Sequence, residues 1–148
     1  MAGSQAGMRR VTRLSAADRE LVDAARAVRE RAYAPYSQFL VGAALRASSG
    51  EIFAGCNVEN ASFGLTVCAE RHAVAAAVAA GERSFLAIAI ASGSSPAAPP
   101  CGACRQVLSE FTPELSVLLV GPRGPALRGP LSMLLPHRFS GLGRKTRR

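Results

Sequence analysis

Two short segments decide how this sequence is interpreted: Cys68-Ala69-Glu70-Arg71 and Pro100-Cys101-Gly102-Ala103-Cys104-Arg105-Gln106. Each segment stands at the start of a predicted helix, where the helix dipole favours a thiolate over a thiol. Cys101 and Cys104 are three residues apart, so their side chains face the same side of that helix. Three thiolates that converge from two helix ends would bind Zn²⁺ and leave a fourth coordination position open. That arrangement is typical of a catalytic zinc.

Glu70 follows Cys68 by two residues, which brings its carboxylate close to the open zinc position without making it a ligand. A carboxylate in that place accepts a proton from water and delivers it elsewhere. Arg71, the next residue, offsets part of the excess negative charge of three thiolates around a divalent ion. The pattern therefore predicts Glu70 as a catalytic residue, with Cys68, Cys101 and Cys104 as metal ligands.

Other interpretations of the cysteines stay open at this point. Cys56 could supply a fourth thiolate and close a structural zinc site, although its place at the end of a predicted apolar strand also suits core packing. His72 could supply the fourth ligand instead, and the C-x-x-C spacing also occurs in redox dithiols. The first 14 residues contain no apolar segment typical of a secretory signal. We therefore expect a cytoplasmic protein whose thiols stay reduced.

The composition is that of one folded domain. The chain has 148 residues, of which 49% are hydrophobic and 19% are charged, so general disorder is excluded. No apolar run approaches the roughly 18 residues of a membrane span, and no membrane partner is expected. Residues 121–148 hold seven basic residues and no acidic one, whereas the rest of the chain is nearly neutral. Because no aromatic residues interleave with these charges, we expect a solvated end rather than a nucleic-acid-binding one.

Residue periodicity predicts alternating helices and strands. Ser15 and Asp18 form a capping pair before a helix over 16–31, and Gly81 ends a second helix over 68–80. Apolar runs predict four strands, over 39–45, 51–57, 85–91 and 115–120. Short helices are predicted over 101–110 and 131–135, and the proline- and glycine-rich stretch 121–130 is predicted to be mostly turn. This order indicates an α/β fold with helices on both faces of one sheet.

Further stretches extend the pattern: YAPYSQFLVGAA over 33–44, GCNVENA over 55–61 and LLPHRF over 134–139. Together with C-x-E and P-C-x-x-C, the three-cysteine form of the zinc deaminase signature, they resemble the small cytidine deaminases. These enzymes belong to the cytidine/deoxycytidylate deaminase superfamily. The resemblance covers residues 16–140. Residues 1–15 are then expected to be a flexible extension, and residues 141–148 a basic C-terminal tail.

The resemblance implies a cytidine deaminase-like three-layer fold, with a mixed five-stranded sheet between helices, in a homotetramer. It implies one Zn²⁺ per subunit, held by Cys68, Cys101 and Cys104, with Glu70 as the proton shuttle. Arg71 remains a charge-compensating neighbour of the ligands.

The resemblance also implies contacts with a substrate. Phe39 would pack on a pyrimidine ring, and the backbone N–H of Ala69 would bind the base. Asn57 and Glu59 would hydrogen-bond the ribose hydroxyls, which fits their donor and acceptor chemistry. Phe139 would reach the site of a neighbouring subunit. Phe63 stands where relatives often have tyrosine, so a phenol contact to the sugar is not expected.

The implied reaction is the hydrolytic deamination of cytidine and 2′-deoxycytidine to uridine and 2′-deoxyuridine plus ammonia, in pyrimidine salvage. Alternatives are a deaminase of cytosine in nucleic acid, suggested by the basic end, a deaminase of a cytosine-nucleoside antibiotic such as blasticidin, and a non-enzymatic zinc module. Asn57 and Glu59 argue against nucleic acid, because groups that hold free ribose hydroxyls suit a nucleoside. The antibiotic deaminases diverge at Asn-x-Glu.

Overall fold

A computed structural model describes residues 7–141. The helices are α1 (Ala16–Arg29), α2 (Ala69–Ala79), α3 (Gly102–Phe111) and α4 (Leu131–Leu134). The strands are β1 (Arg9–Val11), β2 (Val41–Ala47), β3 (Ile52–Cys56), β4 (Phe85–Ser92), β5 (Ser116–Val120) and β6 (Ala126–Pro130). A single 3₁₀ turn covers Phe63–Leu65. Within the described range, no helix combines the length and the apolar character that crossing a bilayer requires.

One mixed sheet runs through the domain in the order β1-β6-β5-β4-β2-β3. β4 and β5 are parallel, and the other neighbouring pairs are antiparallel. β3 and β4 both pair antiparallel with β2, so they run in the same direction and end at the same edge of the sheet. Residues that follow the two strands are therefore brought together there.

The sheet has six strands rather than the five expected. Residues Arg9–Val11, expected to lie in a flexible extension, form β1 and pair with β6. The prediction of turn over 121–130 was wrong for its second half, which forms β6. Pro125 precedes that strand and Pro130 ends it, so neither proline interrupts the pairing inside the strand. The part of the basic tail from residue 142 onward lies outside the described residues.

The predicted three layers are confirmed by two separate cores. α1 covers one face of the sheet through Leu21, Val22 and Ala25. α2 and α3 cover the other face, where the buried side chains include Ala73, Ala77, Ile88, Ile90, Leu108 and Leu119. Each large buried aliphatic side chain stabilises the fold by about 1.5–3 kcal/mol relative to exposure. Both helix layers are thus held to the sheet mainly by apolar burial.

The predicted capping residues Ser15 and Gly81 are confirmed, although α1 ends at Arg29 rather than at residue 31. The Ser15 side chain accepts a hydrogen bond from the backbone N–H of Asp18 at 3.1 Å, which caps α1. Gly81 has φ +96 after α2, and the backbone N–H of Glu82 bonds the carbonyl of Ala77, which forms a Schellman motif. Partial burial raises the pKa of Asp18, but hydrogen bonds from Ser15 and Arg128 outweigh it and hold that pKa below its ordinary value.

Two glycines allow the helices to approach the sheet closely. A Cβ atom at Gly42 would lie 2.1 Å from the carbonyl oxygen of Ala25 in α1. A Cβ atom at Gly55 would lie 2.5 Å from the backbone nitrogen of Ala73 and 2.7 Å from the carbonyl oxygen of Ala69. The first turns of α2 therefore rest directly on the backbone of β3.

We expect Gly55→Ala to lower the free energy of unfolding by about 1–3 kcal/mol, because the new methyl group meets helix backbone rather than a movable side chain. Urea denaturation measures this change. Gly64→Ala is the control, since a Cβ there has no neighbour within 4 Å. If the two variants were equally stable, the close packing of α2 on β3 would not constrain the fold.

Candidate active site

Two cysteines occupy the capping positions of neighbouring helices. Cys68 is the N-cap residue of α2 and Cys101 is the N-cap residue of α3, both with extended backbone. Neither side chain makes a capping hydrogen bond, unlike the serine or aspartate common at such positions. Cys104 lies buried in the first turn of α3. The three thiols are therefore free to converge between the helix starts.

The sulfur positions fit a zinc ion. Sγ of Cys68 and Sγ of Cys101 are 3.9 Å apart, and all three sulfurs lie within 4.8 Å of one another. Tetrahedral zinc, with Zn–S bonds of about 2.3 Å, separates its sulfur ligands by about 3.8 Å. Cys56 and His72 do not belong to this group of sulfurs. A closed zinc site with either residue as the fourth ligand is therefore not supported. Nδ1 of His72 instead lies 2.8 Å from the backbone oxygen of Cys56.

Hydrogen bonds within the cluster stabilise a thiolate. A hydrogen bond from Cys104 and another from Arg71 outweigh burial and lower the pKa of Cys68 to about 5. The pKa of the Cys104 thiol is raised, chiefly because its hydrogen bond to Cys68 favours the protonated form. Nη2 of Arg71 lies 3.6 Å from Sγ of Cys68 and donates to the carbonyl of Thr66 at 3.2 Å. The guanidinium of Arg71 thus lies beside the Cys68 sulfur, where its positive charge favours a thiolate.

Glu70 lies in the first turn of α2 and is 4% exposed. Burial raises the pKa of this carboxyl above its ordinary value, and the nearby charge of Cys68 adds to the effect. No ion pair neutralises Glu70 among the residues that the structure describes. A buried carboxyl with a raised pKa holds a proton more readily than an exposed one, a property common in groups that act as acids or bases.

Cys68, Cys101 and Glu70 border a cavity of about 270 Å³, and Cys104 lies buried behind its wall. Most of the predicted contact residues line it, namely Phe39, Asn57, Glu59, Cys68, Ala69, Glu70 and Cys101. The prediction did not include its other lining residues, Ser37, Val41, Thr66, Ile90, Ser92, Ala98 and Pro99. The structure therefore brings residues of the loop after α1, the end of β3 and both helix starts around one space.

Two of the lining residues are already engaged with the protein. Oδ1 of Asn57 accepts from the N–H of Val41 at 2.8 Å, and its Nδ2 donates to the carbonyl of Phe39 at 2.9 Å. Glu59 accepts from the backbone N–H groups of Tyr36 and Ser37, at 2.9 and 3.2 Å, and from the Ser37 hydroxyl. The hydrogen bond from Ser37 is the main cause that lowers the pKa of Glu59, so Glu59 is ionised at neutral pH.

Phe139 and Phe63, the two aromatic residues singled out beside Phe39 from the sequence, lie outside the cavity. Phe139 is 77% exposed, and its backbone N–H and carbonyl are both hydrogen-bonded by the Gln106 side chain, at 3.1 and 2.7 Å. Phe63 is 73% exposed and makes an edge contact with Tyr36 at 5.5 Å between ring centroids. Within this chain, therefore, neither ring contributes to the cavity wall.

A three-thiolate centre beside a buried carboxylic acid, at the end of a small cavity, defines a zinc-dependent hydrolytic enzyme. The family model for the cytidine and deoxycytidylate deaminase zinc-binding region matches residues 15–120. This match spans both helix starts and all four cysteines. The chain belongs to the cytidine and deoxycytidylate deaminase family, and its three sulfurs fit one zinc ion.

Proteins named cytidine deaminase align with most of the chain. A cytidine deaminase of Sporosarcina psychrophila is 44% identical over 122 residues, covering 82% of this chain and 90% of the relative. A cytidine deaminase of Halalkalibacterium halodurans is 46% identical over 121 residues, covering 81% of this chain and 92% of the relative. The crystal structure of cytidine deaminase from Burkholderia pseudomallei superposes with a TM-score of 0.79 at 50% identity, covering 82% of this chain and 98% of that one.

We expect Cys101→Ala to lose its metal, because only two of three thiolates would remain, whereas Cys56→Ala should retain about one zinc per chain. Metal quantitation after dialysis distinguishes these outcomes. Loss of zinc from Cys56→Ala would instead indicate a closed site of four thiolates.

Proposed function

We propose that this protein hydrolyses cytidine and 2′-deoxycytidine, so that cytidine and water give uridine and ammonia. The supporting observation is that a cluster of three cysteine sulfurs, which fits zinc, stands at the wall of a cavity that the Glu70 carboxyl and the polar side chains of Asn57 and Glu59 also line. Relatives named cytidine deaminase, at 44–50% identity, support the same substrate class. The enzyme is a hydrolase that acts on the C–N bond of a cyclic amidine.

The residues of this chain have complementary roles in the proposed reaction. When bound to Cys68, Cys101 and Cys104, zinc supplies the means to lower the pKa of a water molecule toward about 7. Glu70 accepts a proton from the water and delivers it to N3 of the pyrimidine ring, while the water oxygen forms a bond to C4. Glu70 then transfers the second proton to the amino group, the C4–N bond breaks, and ammonia leaves.

The remaining lining residues orient the nucleoside in this proposal. Phe39 packs on the pyrimidine ring, and the backbone N–H of Ala69 donates to the base. Asn57 and Glu59 bind the ribose hydroxyls, using the hydrogen-bonding capacity left after their contacts with the protein. A volume of about 270 Å³ suits one nucleoside, which favours a nucleoside substrate over a nucleic acid.

We also propose that the enzyme is a cytoplasmic homotetramer that acts in pyrimidine salvage. All four cysteines lie within the described residues and none forms a disulfide, which suits a reducing compartment. Several large apolar side chains are exposed, namely Tyr33, Tyr36, Val58, Phe63, Leu65 and Phe139. Exposed apolar groups of this size favour contact with another protein surface. Because Gln106 holds its backbone, Phe139 is presented to solvent in a fixed place, as entry into a neighbouring site requires.

We expect Glu70→Gln to keep its zinc and to lose turnover by at least about 10²-fold, because an amide cannot shuttle protons. The loss of ultraviolet absorbance on incubation with cytidine measures turnover, and metal quantitation on the same sample is the control. Normal turnover by the zinc-loaded variant would remove Glu70 from the mechanism.

Subunit mixing tests the contribution of Phe139. Phe139→Ala and Glu70→Gln subunits should each be impaired alone, and mixed assemblies should recover activity, since one subunit supplies Glu70 and its neighbour supplies Phe139. Native mass spectrometry of the mixture confirms that subunits have exchanged, because the two variants differ in mass. Mixtures no more active than the average of the two variants would show that each chain works with its own residues alone.

A further inference from the structure

The segment from Tyr36 to Phe39 folds over the carboxylate of Glu59. Oε2 of Glu59 accepts the backbone N–H groups of Tyr36 and Ser37, at 2.9 and 3.2 Å, while Oε1 accepts the Ser37 hydroxyl. Oε1 keeps a further acceptor position for a hydroxyl of a ligand. Ser37, Phe39 and Glu59 all line the cavity. The carboxylate thus organises the loop at the same time as it faces the cavity.

Ser37 links two parts of the cavity that would bind different parts of a nucleoside. Its hydroxyl oxygen accepts the backbone N–H of Phe39 at 3.0 Å, while its hydroxyl hydrogen is donated to Glu59. A single hydroxyl therefore connects the sugar-side acceptor to the backbone of the residue that is to pack on the base.

The backbone between these two contacts is strained. Gln38 has φ +56, and no other non-glycine residue in the range 7–141 has a positive φ. Residues with side chains adopt this left-handed conformation at a cost, so surrounding contacts must hold it in place. The hydrogen bonds of Ser37 and Phe39 lie directly on either side of Gln38. Together with the hydrogen bond from the backbone N–H of Gln38 to the carbonyl of Ala34, at 2.9 Å, they hold the loop in this conformation.

We propose that Ser37 is a positioning residue for nucleoside recognition, which holds the Glu59 carboxylate toward the sugar and fixes the backbone of Phe39 toward the base. The inference rests on the proposed function, because it takes Glu59 as the group that binds a sugar hydroxyl. In this proposal Ser37 contacts neither the metal nor the reacting atoms of the substrate.

The test compares Ser37→Ala and Ser37→Thr on two substrates, cytidine and 2′,3′-dideoxycytidine. Ser37→Ala should raise KM for cytidine roughly tenfold, because a hydrogen bond to a charged group is lost, with kcat changed by less than about threefold. Ser37→Thr retains the hydroxyl on an exposed residue and should restore KM to within about threefold. Dideoxycytidine keeps the base contact with Phe39 but has no ribose hydroxyl at C2′ or C3′ for Glu59. Its KM should therefore rise in Ser37→Ala only through the Phe39 backbone, and much less than the KM for cytidine.

The chain contains a matched control pair. The Ser49 hydroxyl donates to Glu82 at 2.6 Å and accepts the backbone N–H of Glu51 at 3.4 Å, the same pattern at an exposed place that does not line the cavity. Ser49→Ala should leave both KM values unchanged. If Ser37→Ala behaved like Ser49→Ala, or raised KM equally on both substrates, the proposed link from Ser37 through Glu59 would be wrong.

Calorimetric titration with uridine separates failure of this inference from failure of the proposed function. Wild-type, zinc-loaded protein that bound uridine without consuming cytidine would overturn the deaminase activity, and Ser37→Ala should still weaken uridine binding about tenfold. Wild-type protein that neither bound uridine nor consumed cytidine would overturn both proposals.

Discussion

The direction of two strands is the constraint on which the site depends. Because β3 and β4 run the same way, the chain leaves both at one edge of the sheet, and α2 and α3 both begin there. Their capping residues are Cys68 and Cys101, whose sulfurs come within 3.9 Å of each other. The absence of a side chain at Gly55 lets α2 rest on β3, so this convergence is built on backbone contacts that cannot easily shift.

Electrostatics explain why such a concentration of acidic groups is stable. Three cysteine sulfurs and a buried carboxyl meet at the wall of the cavity, and the mutual repulsion of their ionised forms must be offset. Two helix N-termini and the guanidinium of Arg71 supply positive potential beside the sulfurs. Desolvation, together with the nearby charge of Cys68, raises the pKa of the Glu70 carboxyl. The acid–base properties of the metal-binding thiols and of this carboxyl are therefore set by one shared environment.

Local chemistry made much of the fold predictable. Ser15 before α1 and Gly81 after α2 are recognisable because capping depends on residues a few positions apart. The edge strand β1 was less predictable, since it exists through pairing with β6 between residues more than one hundred positions apart, such as Val11 with Ala126. Proline and glycine in 121–130 suggested turn, and the pairing of β6 with both neighbours overrode that local preference.

The sequence alone indicated the chemistry of the centre, because zinc binding requires particular side chains at particular spacings. It marked Cys68, Cys101 and Cys104 as candidate ligands with Glu70 beside them, and it left Cys56 and His72 open as a fourth ligand. Only the tertiary structure decided which groups complete the cavity. Ser37 lies 22 residues from Glu59, yet its hydroxyl reaches that carboxylate because the loop after α1 folds back over the end of β3. Contacts of this kind depend on how elements pack in space, and spacing along the chain carries no record of them.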